Sequence, residues 1–121
     1  MARIMIVDDS GMMRSLLRLI LEKAGHTVVA EAATGKEAYL EYSTHRPDLV
    51  TMDITMPTWN GIETIRSIRA DFPEAKIIVV SSIGQKMKVI EAVQSGAKHY
   101  IIKPFTSEKV IQVVNDVLKN G

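Results

Sequence analysis

The sequence contains no cysteine, which excludes disulfide bonds, thiolate metal sites and cysteine nucleophiles. It also lacks an apolar run long enough to cross a membrane, and acidic residues occur within the first ten positions. These absences argue against a membrane span and a secretory signal, so the predicted location is the cytoplasm. The formal net charge is only +1 and no dense basic stripe is present, which argues against nucleic acid as a partner.

Length and composition are those of a globular protein with one domain. The chain has 121 residues, of which 46% are apolar and 24% charged. A chain of this size can bury a hydrophobic core without disulfide bonds or structural metal ions. No repeat, low-complexity segment or linker divides residues 1–121. The sequence has no large apolar strip of the kind that an obligate oligomer buries, so we expect a monomer.

Five short apolar segments alternate with segments of helical periodicity. The predicted strands cover residues 4–7, 27–32, 48–52, 76–80 and 99–102. The predicted helices begin after Ser10, in a capping box at residues 34–37, at Asn60-Gly61, near Gln85, and after Thr106 or Ser107. Five successive βα units predict an α/β fold with a parallel sheet, helices on both faces and right-handed crossovers.

Helical spacing also predicts which side chains face the core. In the third helix the inner positions are Ile62, Ile65, Ile68 and Ala70. The last helix is expected to bury Val110, Val113, Val114 and Val117.

Chemically reactive side chains stand where the predicted strands end. Asp8 and Asp9 follow the first strand, Asp53 the third, Ser81 the fourth and Lys103 the fifth. Because parallel strands point the same way, these residues share one edge of the sheet, where open α/β folds place their chemistry. The three carboxylates would repel one another unless a positive group lay between them, and a divalent cation such as Mg²⁺ is the simplest one.

The remaining groups at this edge suit a phosphoryl ligand. Lys103 would supply a positive charge, and the Ser81 hydroxyl a hydrogen bond. Asp53 is then a candidate carboxylate nucleophile that accepts a phosphoryl group while metal and amine neutralise the transferred charge. No general base is evident, so the site is predicted to hold a phosphoryl group rather than to turn over a substrate.

Four motifs together resemble those of the receiver domains of two-component response regulators. They are VDDS at residues 7–10, MDITMPTWNG at 52–61, SS at 81–82 and KPF at 103–105. The resemblance covers the whole chain, without an extension for an output domain, and residues 81–105 further resemble the stand-alone receivers of chemotaxis. It implies a flavodoxin-like, doubly wound sheet with strand order 2-1-3-4-5.

The resemblance assigns roles to the matching residues. Asp53 is implied to be the phosphorylation site. Mg²⁺ is implied to bind Asp9, Asp53 and the backbone carbonyl of Thr55, with Asp8 contributing directly or through water.

Other positions carry implied roles in switching. Ser81 and Lys103 would each contact a phosphoryl oxygen, and the Lys103-Pro104 peptide bond is implied to be cis. Tyr100 matches the switch aromatic that turns inward as Ser81 moves toward the phosphoryl group.

Two positions depart from common receivers. Thr55 stands where many carry Asn, and Ile83 stands where others carry polar or acidic residues. Both positions influence access of the hydrolytic water in this family, so the resemblance leaves the phosphoryl lifetime open.

The implied function is a signalling switch that catalyses only its own phosphorylation and dephosphorylation. A chemotaxis-type histidine kinase would be the donor and the flagellar motor switch protein the target, with a phosphatase as a further candidate partner. The fourth helix, fifth strand and fifth helix would form the output surface, which includes Lys86 and Lys88. Trp59, in the loop after Asp53, is as readily a partner contact as a loop-packing residue.

Three alternatives remain at this stage. A receiver of another phosphorelay, for example of the sporulation type, would pass the phosphoryl group on to a histidine phosphotransfer protein. A phosphatase with an aspartyl-phosphate intermediate would need a second acid two residues after the nucleophile, and Thr55 occupies that position. A flavin-binding module would need a phosphate loop rich in glycine and hydroxyl groups in place of Asp8-Asp9.

Overall fold

The computed structural model describes residues 1–56 and 60–120. The strands are β1 (Arg3–Val7), β2 (Thr27–Ala32), β3 (Leu49–Asp53), β4 (Ile77–Ser82) and β5 (His99–Lys103). The helices are α1 (Gly11–Lys23), α2 (Gly35–His45), α3 (Gly61–Asp71), α4 (Lys86–Gln94) and α5 (Ser107–Asn120). Trp59 lies outside the described residues. In the described part of the chain, no helix is both long and apolar enough to cross a membrane.

The strands of the described residues form one parallel sheet in the order β2-β1-β3-β4-β5. This confirms the predicted fold class and strand order. The chain winds outward in opposite directions from β1 and β3, so a crevice forms between the carboxyl ends of these two strands. That crevice is the position at which an open α/β sheet binds ligands.

Helices cover both faces of the sheet and create two cores. Met5 and Val7 point into the core beneath α2, α3 and α4, whereas Ile4 and Ile6 point into the core beneath α1 and α5. Successive strand residues face opposite sides, which explains why these strands are apolar throughout rather than alternating. Each fully buried side chain of this kind stabilises the fold by about 1.5–3 kcal/mol, so the sheet is a rigid base for residues at its edge.

Side-chain caps set several helix starts. Ser10 accepts a hydrogen bond from the Met13 amide, and Thr106 from the Lys109 amide. Asn60 and Glu63 form a reciprocal capping box at the start of α3. These bonds satisfy amides that the first helical turn leaves without a partner.

The predicted capping box at residues 34–37 is only half formed. Thr34 accepts from the Glu37 amide at 3.1 Å, but the Glu37 carboxylate accepts from Ala33 rather than from Thr34. The placement of Ala70 in the core was also wrong. Ala70 is exposed near the end of α3, while Ile62, Ile65 and Ile68 are buried as predicted. The predicted burial of the four valines of α5 is confirmed.

Several strand boundaries differ from the predicted ones, and those at the carboxyl ends of strands affect the site. β3 begins at Leu49 rather than at Asp48, whose side chain accepts a hydrogen bond from the Arg3 amide at 2.8 Å. β3 includes Asp53, and β4 extends to Ser82. Asp53 and Ser81 are therefore anchored by strand pairing rather than placed on free loops.

Candidate functional site

Three carboxylates meet at the crevice between β1 and β3. Val7 pairs with Met52 in the sheet, so Asp8 and Asp53 leave the two strands side by side. One carboxylate oxygen from each of Asp8, Asp9 and Asp53 lies within 4.8 Å of the others. Asp8 is 1% exposed and Asp53 is 7% exposed, whereas Asp9 faces solvent. The sequence placed these acids at one edge, and the structure brings them into one cluster.

Lys103 extends to the same cluster from the end of β5. Its Nζ lies 3.4 Å from Asp8 Oδ2 and 3.9 Å from Asp53 Oδ2. β4 separates β5 from β3, so the long lysine side chain spans the strand end that carries Ser81. The Lys103-Pro104 peptide bond is cis, as expected from the resemblance.

The protein environment makes ionisation of Asp53 unfavourable. Burial is the largest effect and raises the pKa of Asp53 to about 6, with nearby Asp8 and Asp9 acting in the same direction. The Thr55 amide, which donates to Asp53 Oδ1 at 3.1 Å, and the charge of Lys103 lower the pKa but do not offset burial. The cluster holds three carboxyl groups and a single neighbouring amine, so a further positive group at this site would favour the ionised form of Asp53.

The donor set fits a hard divalent cation. Carboxylate oxygens are the ligands that Mg²⁺ takes in proteins, usually one or two of them together with water. The three carboxyl groups and the open side at Asp9 match such an ion. Asp8, Asp9 and Asp53 are the described acidic residues that could hold it.

Backbone contacts hold Asp8 in place. Its Oδ1 accepts from the Ser10 amide at 2.9 Å, and its carbonyl accepts from Arg14 Nη1 at 2.7 Å. Arg14 also pairs with Glu31 of β2 at 2.9 Å. Sequence reasoning missed Arg14, because nothing in its spacing shows that it folds back over the end of β1.

Ser81 presents a hydroxyl without a partner. The residue is 1% exposed, and its Oγ makes no hydrogen bond to the described residues. Thr51 Oγ1, within β3, is the other described buried side-chain atom in this condition. A buried hydroxyl without a partner is costly, so Ser81 is set to bond an acceptor that arrives at the strand end.

The loop after β3 approaches two neighbouring elements closely. Gly61 donates its amide to the Ile54 carbonyl at 2.7 Å, and a Cβ on Gly61 would lie 2.4 Å from the Asp53 carbonyl oxygen. On the other side, Gln85 donates from Nε2 to Thr55 Oγ1 at 2.9 Å. Sequence reasoning interpreted Gly61 and Gln85 only as helix-start residues. Their roles at the site depend on contacts that are distant in sequence.

Tyr100 lies away from the acidic cluster. Its side chain is 45% exposed and lines a surface groove of about 380 Å³ together with Ile83, which lies between β4 and α4, and with residues of α4 and β5 such as Ile90 and Ile102. Lys86 and Lys88 are exposed on α4. The structure thus separates the acid site from an apolar groove on the face that the resemblance implies for output.

Comparison with known families decides the classification. The model of the response regulator receiver domain matches residues 4–115. The chain belongs to this family. Its acidic cluster, hydroxyl and lysine are thus the strand-end residues of a receiver domain.

Individual relatives point to the chemotaxis branch. The chemotaxis protein CheY of Thermotoga maritima is 50% identical over 97% of this chain and 98% of the relative. CheY of Bacillus subtilis is 47% identical over 96% of this chain and 97% of the relative. A CheX–CheY–BeF3–Mg²⁺ complex from Borrelia burgdorferi has a TM-score of 0.91 at 36% identity, covering 95% of this chain and 87% of that chain. The receiver domain is therefore CheY-like, and its relatives support a role as a chemotaxis response regulator.

Proposed function

We propose that this chain is a phosphorylation-controlled switch with Asp53 as its phosphoacceptor. An Asp53 carboxylate oxygen attacks the phosphorus of a phosphohistidine on a chemotaxis-type histidine kinase. A P–O bond forms, the P–N bond breaks, and the histidine leaves with the bonding electron pair and takes up a proton. The observation that carries this proposal is the position of Asp53, buried between two further acids and 3.9 Å from Lys103 Nζ.

Each neighbouring group has a defined part in this proposal. Asp8, Asp9, Asp53 and the Thr55 backbone carbonyl would hold Mg²⁺, which when bound neutralises charge on the phosphoryl oxygens. Lys103 pairs with one phosphoryl oxygen. The unpartnered Ser81 hydroxyl donates to another and gains the hydrogen bond that it lacks in this structure.

Movement of Ser81 links the site to the output surface. As Ser81 shifts toward the phosphoryl group, space opens behind it, and Tyr100 turns from its exposed position into that space. The face formed by α4, β5 and α5 then changes its affinity for a partner. Given the chemotaxis relatives, the proposed partner is the flagellar motor switch protein, in the cytoplasm, with the chain acting as a monomer.

A phosphatase that removes the phosphoryl group is a further proposed partner. The complex of a related CheY with CheX, BeF3 and Mg²⁺ is consistent with a second protein that binds the activated receiver. The alternative proposal is a receiver of another phosphorelay, for example of the sporulation type. In that alternative, Asp53 would pass its phosphoryl group to a histidine phosphotransfer protein.

The decisive experiment is intact-mass measurement after incubation with acetyl phosphate, with and without Mg²⁺. We expect the wild type to gain one phosphoryl group only with Mg²⁺, and Asp53→Asn to gain none. Asp116→Asn, an exposed acid on α5, is the matched control and should behave as the wild type. An adduct that persists in Asp53→Asn would refute the assignment of the acceptor.

A second measurement separates the pathways. Binding of the phosphorylated chain to a peptide of the motor switch protein would support chemotaxis. Phosphoryl transfer to a histidine phosphotransfer protein, without binding to that peptide, would support the other phosphorelay.

A further inference from the structure

One side chain joins the two loops that frame the acceptor. Gln85 Nε2 donates to Thr55 Oγ1 at 2.9 Å, and Gln85 Oε1 accepts from the Ser82 amide at 3.0 Å. Ser82 directly follows Ser81, and the Thr55 amide donates to Asp53 Oδ1 at 3.1 Å. Gln85 therefore connects Ser82 to Thr55, whose amide bonds the Asp53 carboxylate.

The side chain of Gln85 does not cap its own helix. It occupies the N-cap position of α4, where a side chain usually accepts a bond from the first turn, but no side-chain cap is formed. Gly84, in the left-handed region at φ +95°, makes the turn that precedes it. The amide oxygen and amide nitrogen of the Gln85 side chain instead bond the end of β4 and the loop after β3.

The residue at position 55 makes this bridge possible. A threonine hydroxyl carries lone pairs that accept from the Gln85 amide nitrogen and still has a proton to donate. Thr55 is exposed, whereas Ser81 is buried. The bridge thus links an exposed residue of the loop after β3 to the amide that directly follows the buried Ser81.

We propose that Gln85 is a positioning residue for phosphoryl binding at Asp53. By holding the end of β4 to the loop after β3, it keeps both segments ordered around Asp53 before the phosphoryl group arrives. A loop that is already ordered does not lose conformational entropy on binding, so binding is tighter. This inference rests on the proposed function and adds a residue that acts through Thr55 and Ser82.

Beryllofluoride, a phosphoryl mimic, provides the test on the full chain. Its affinity would be measured by calorimetry in excess Mg²⁺. Gln85→Met preserves the length of the side chain and removes both hydrogen bonds. We expect the variant to bind beryllofluoride about three- to tenfold more weakly, the range set by loss of one or two such bonds.

Partner variants test whether the bridge itself is responsible. Thr55→Val, which lacks the hydroxyl, should weaken binding as Gln85→Met does, and Thr55→Ser, which keeps it, should restore affinity close to that of the wild type. The double variant Gln85→Met with Thr55→Val should bind no more weakly than Gln85→Met alone, because Gln85→Met already removes the bond to Thr55. Additive losses in the double variant would overturn the bridge.

The matched control is Gln94→Met, at the exposed end of the same helix, which should leave affinity unchanged. Thermal denaturation verifies that Gln85→Met remains folded. If the wild type neither binds beryllofluoride nor takes up phosphoryl groups, the proposed function itself fails. If the wild type binds and Gln85→Met binds equally or more tightly, only the positioning role of Gln85 is overturned.

Discussion

Lys103 Nζ lies closer to Asp8, at 3.4 Å, than to the proposed acceptor Asp53, at 3.9 Å. The lysine therefore already interacts with an acid of the carboxylate cluster in this structure. Arrival of a phosphoryl group on Asp53 would offer the amine a stronger partner, because charge-assisted bonds to phosphate oxygens are short and strong. Lys103 is thus placed to report the charge at Asp53 to β5.

Lys103→Ala tests this relationship. We expect the variant to accept phosphoryl groups from acetyl phosphate, but to bind beryllofluoride about tenfold more weakly or worse, since a hydrogen bond to a charged group is lost. Its Tyr100 ring should also fail to change environment on binding, as followed by NMR. Lys109→Ala, on the exposed face of α5, is the control. A wild-type response of Tyr100 in Lys103→Ala would contradict the role.

Asp53→Asn should stabilise the metal-free protein at neutral pH. The pKa of Asp53 is raised to about 6 in the folded state, so its protonated form favours folding. That contribution is complete below the unfolded pKa of 3.8 and is lost as the pH rises through about 6. In Asp53→Asn the side-chain amide is uncharged at every pH, so the variant does not lose this contribution to stability as the pH rises.

We therefore expect Asp53→Asn to exceed the wild type in free energy of unfolding by on the order of 1 kcal/mol at pH 7.5, after discounting for solvent screening. The gain should shrink toward zero near pH 4. Chemical denaturation in EDTA at both pH values measures it, and Asp116→Asn serves as the control. Excess Mg²⁺ should stabilise the wild type more than the variant. A gain independent of pH would show that ionisation of Asp53 is not its cause.

Ser81→Ala should weaken beryllofluoride binding without lowering the free energy of unfolding. Removing a buried hydroxyl that lacks a partner should leave the free energy of unfolding unchanged or raise it by about 1 kcal/mol. The same change should weaken beryllofluoride binding, because the phosphoryl mimic loses a donor. Ser82→Ala, exposed at the next position, should alter neither quantity. Marked destabilisation by Ser81→Ala would show that its hydroxyl is already paired.

Gly61→Ala should disrupt the packing of the start of α3 against the end of β3. An added Cβ would lie 2.4 Å from the Asp53 carbonyl oxygen and 2.7 Å from Ile54 Cα, and backbone atoms cannot yield as a side chain can. We expect a loss of about 2–4 kcal/mol in the free energy of unfolding and weaker Mg²⁺ binding. Gly11→Ala, at the open start of α1, is the control. Retention of wild-type stability in Gly61→Ala would show that the α3 start can move away.

The sequence by itself determined the order of elements and the identity of the reactive edge. Five successive βα units predict a parallel sheet, and the carboxyl ends of parallel strands bring Asp8, Asp53, Ser81 and Lys103 to the same edge. Local signals also sufficed for the start of α3 at Asn60-Gly61. The placement of Ala70 was wrong because it follows Ile68 by two residues, about 200° around the helix, and so lies on another face.

Only the tertiary structure decided which of these groups touch. The distance from Lys103 to Asp8, the missing partner of Ser81 and the bridge from Gln85 to Thr55 all join residues brought together by the sheet order. No local pattern encodes such contacts, because they depend on the packing of strands and helices distant in sequence. The raised pKa of Asp53 has the same origin, since burial between two strand ends is a property of the fold and not of the segment.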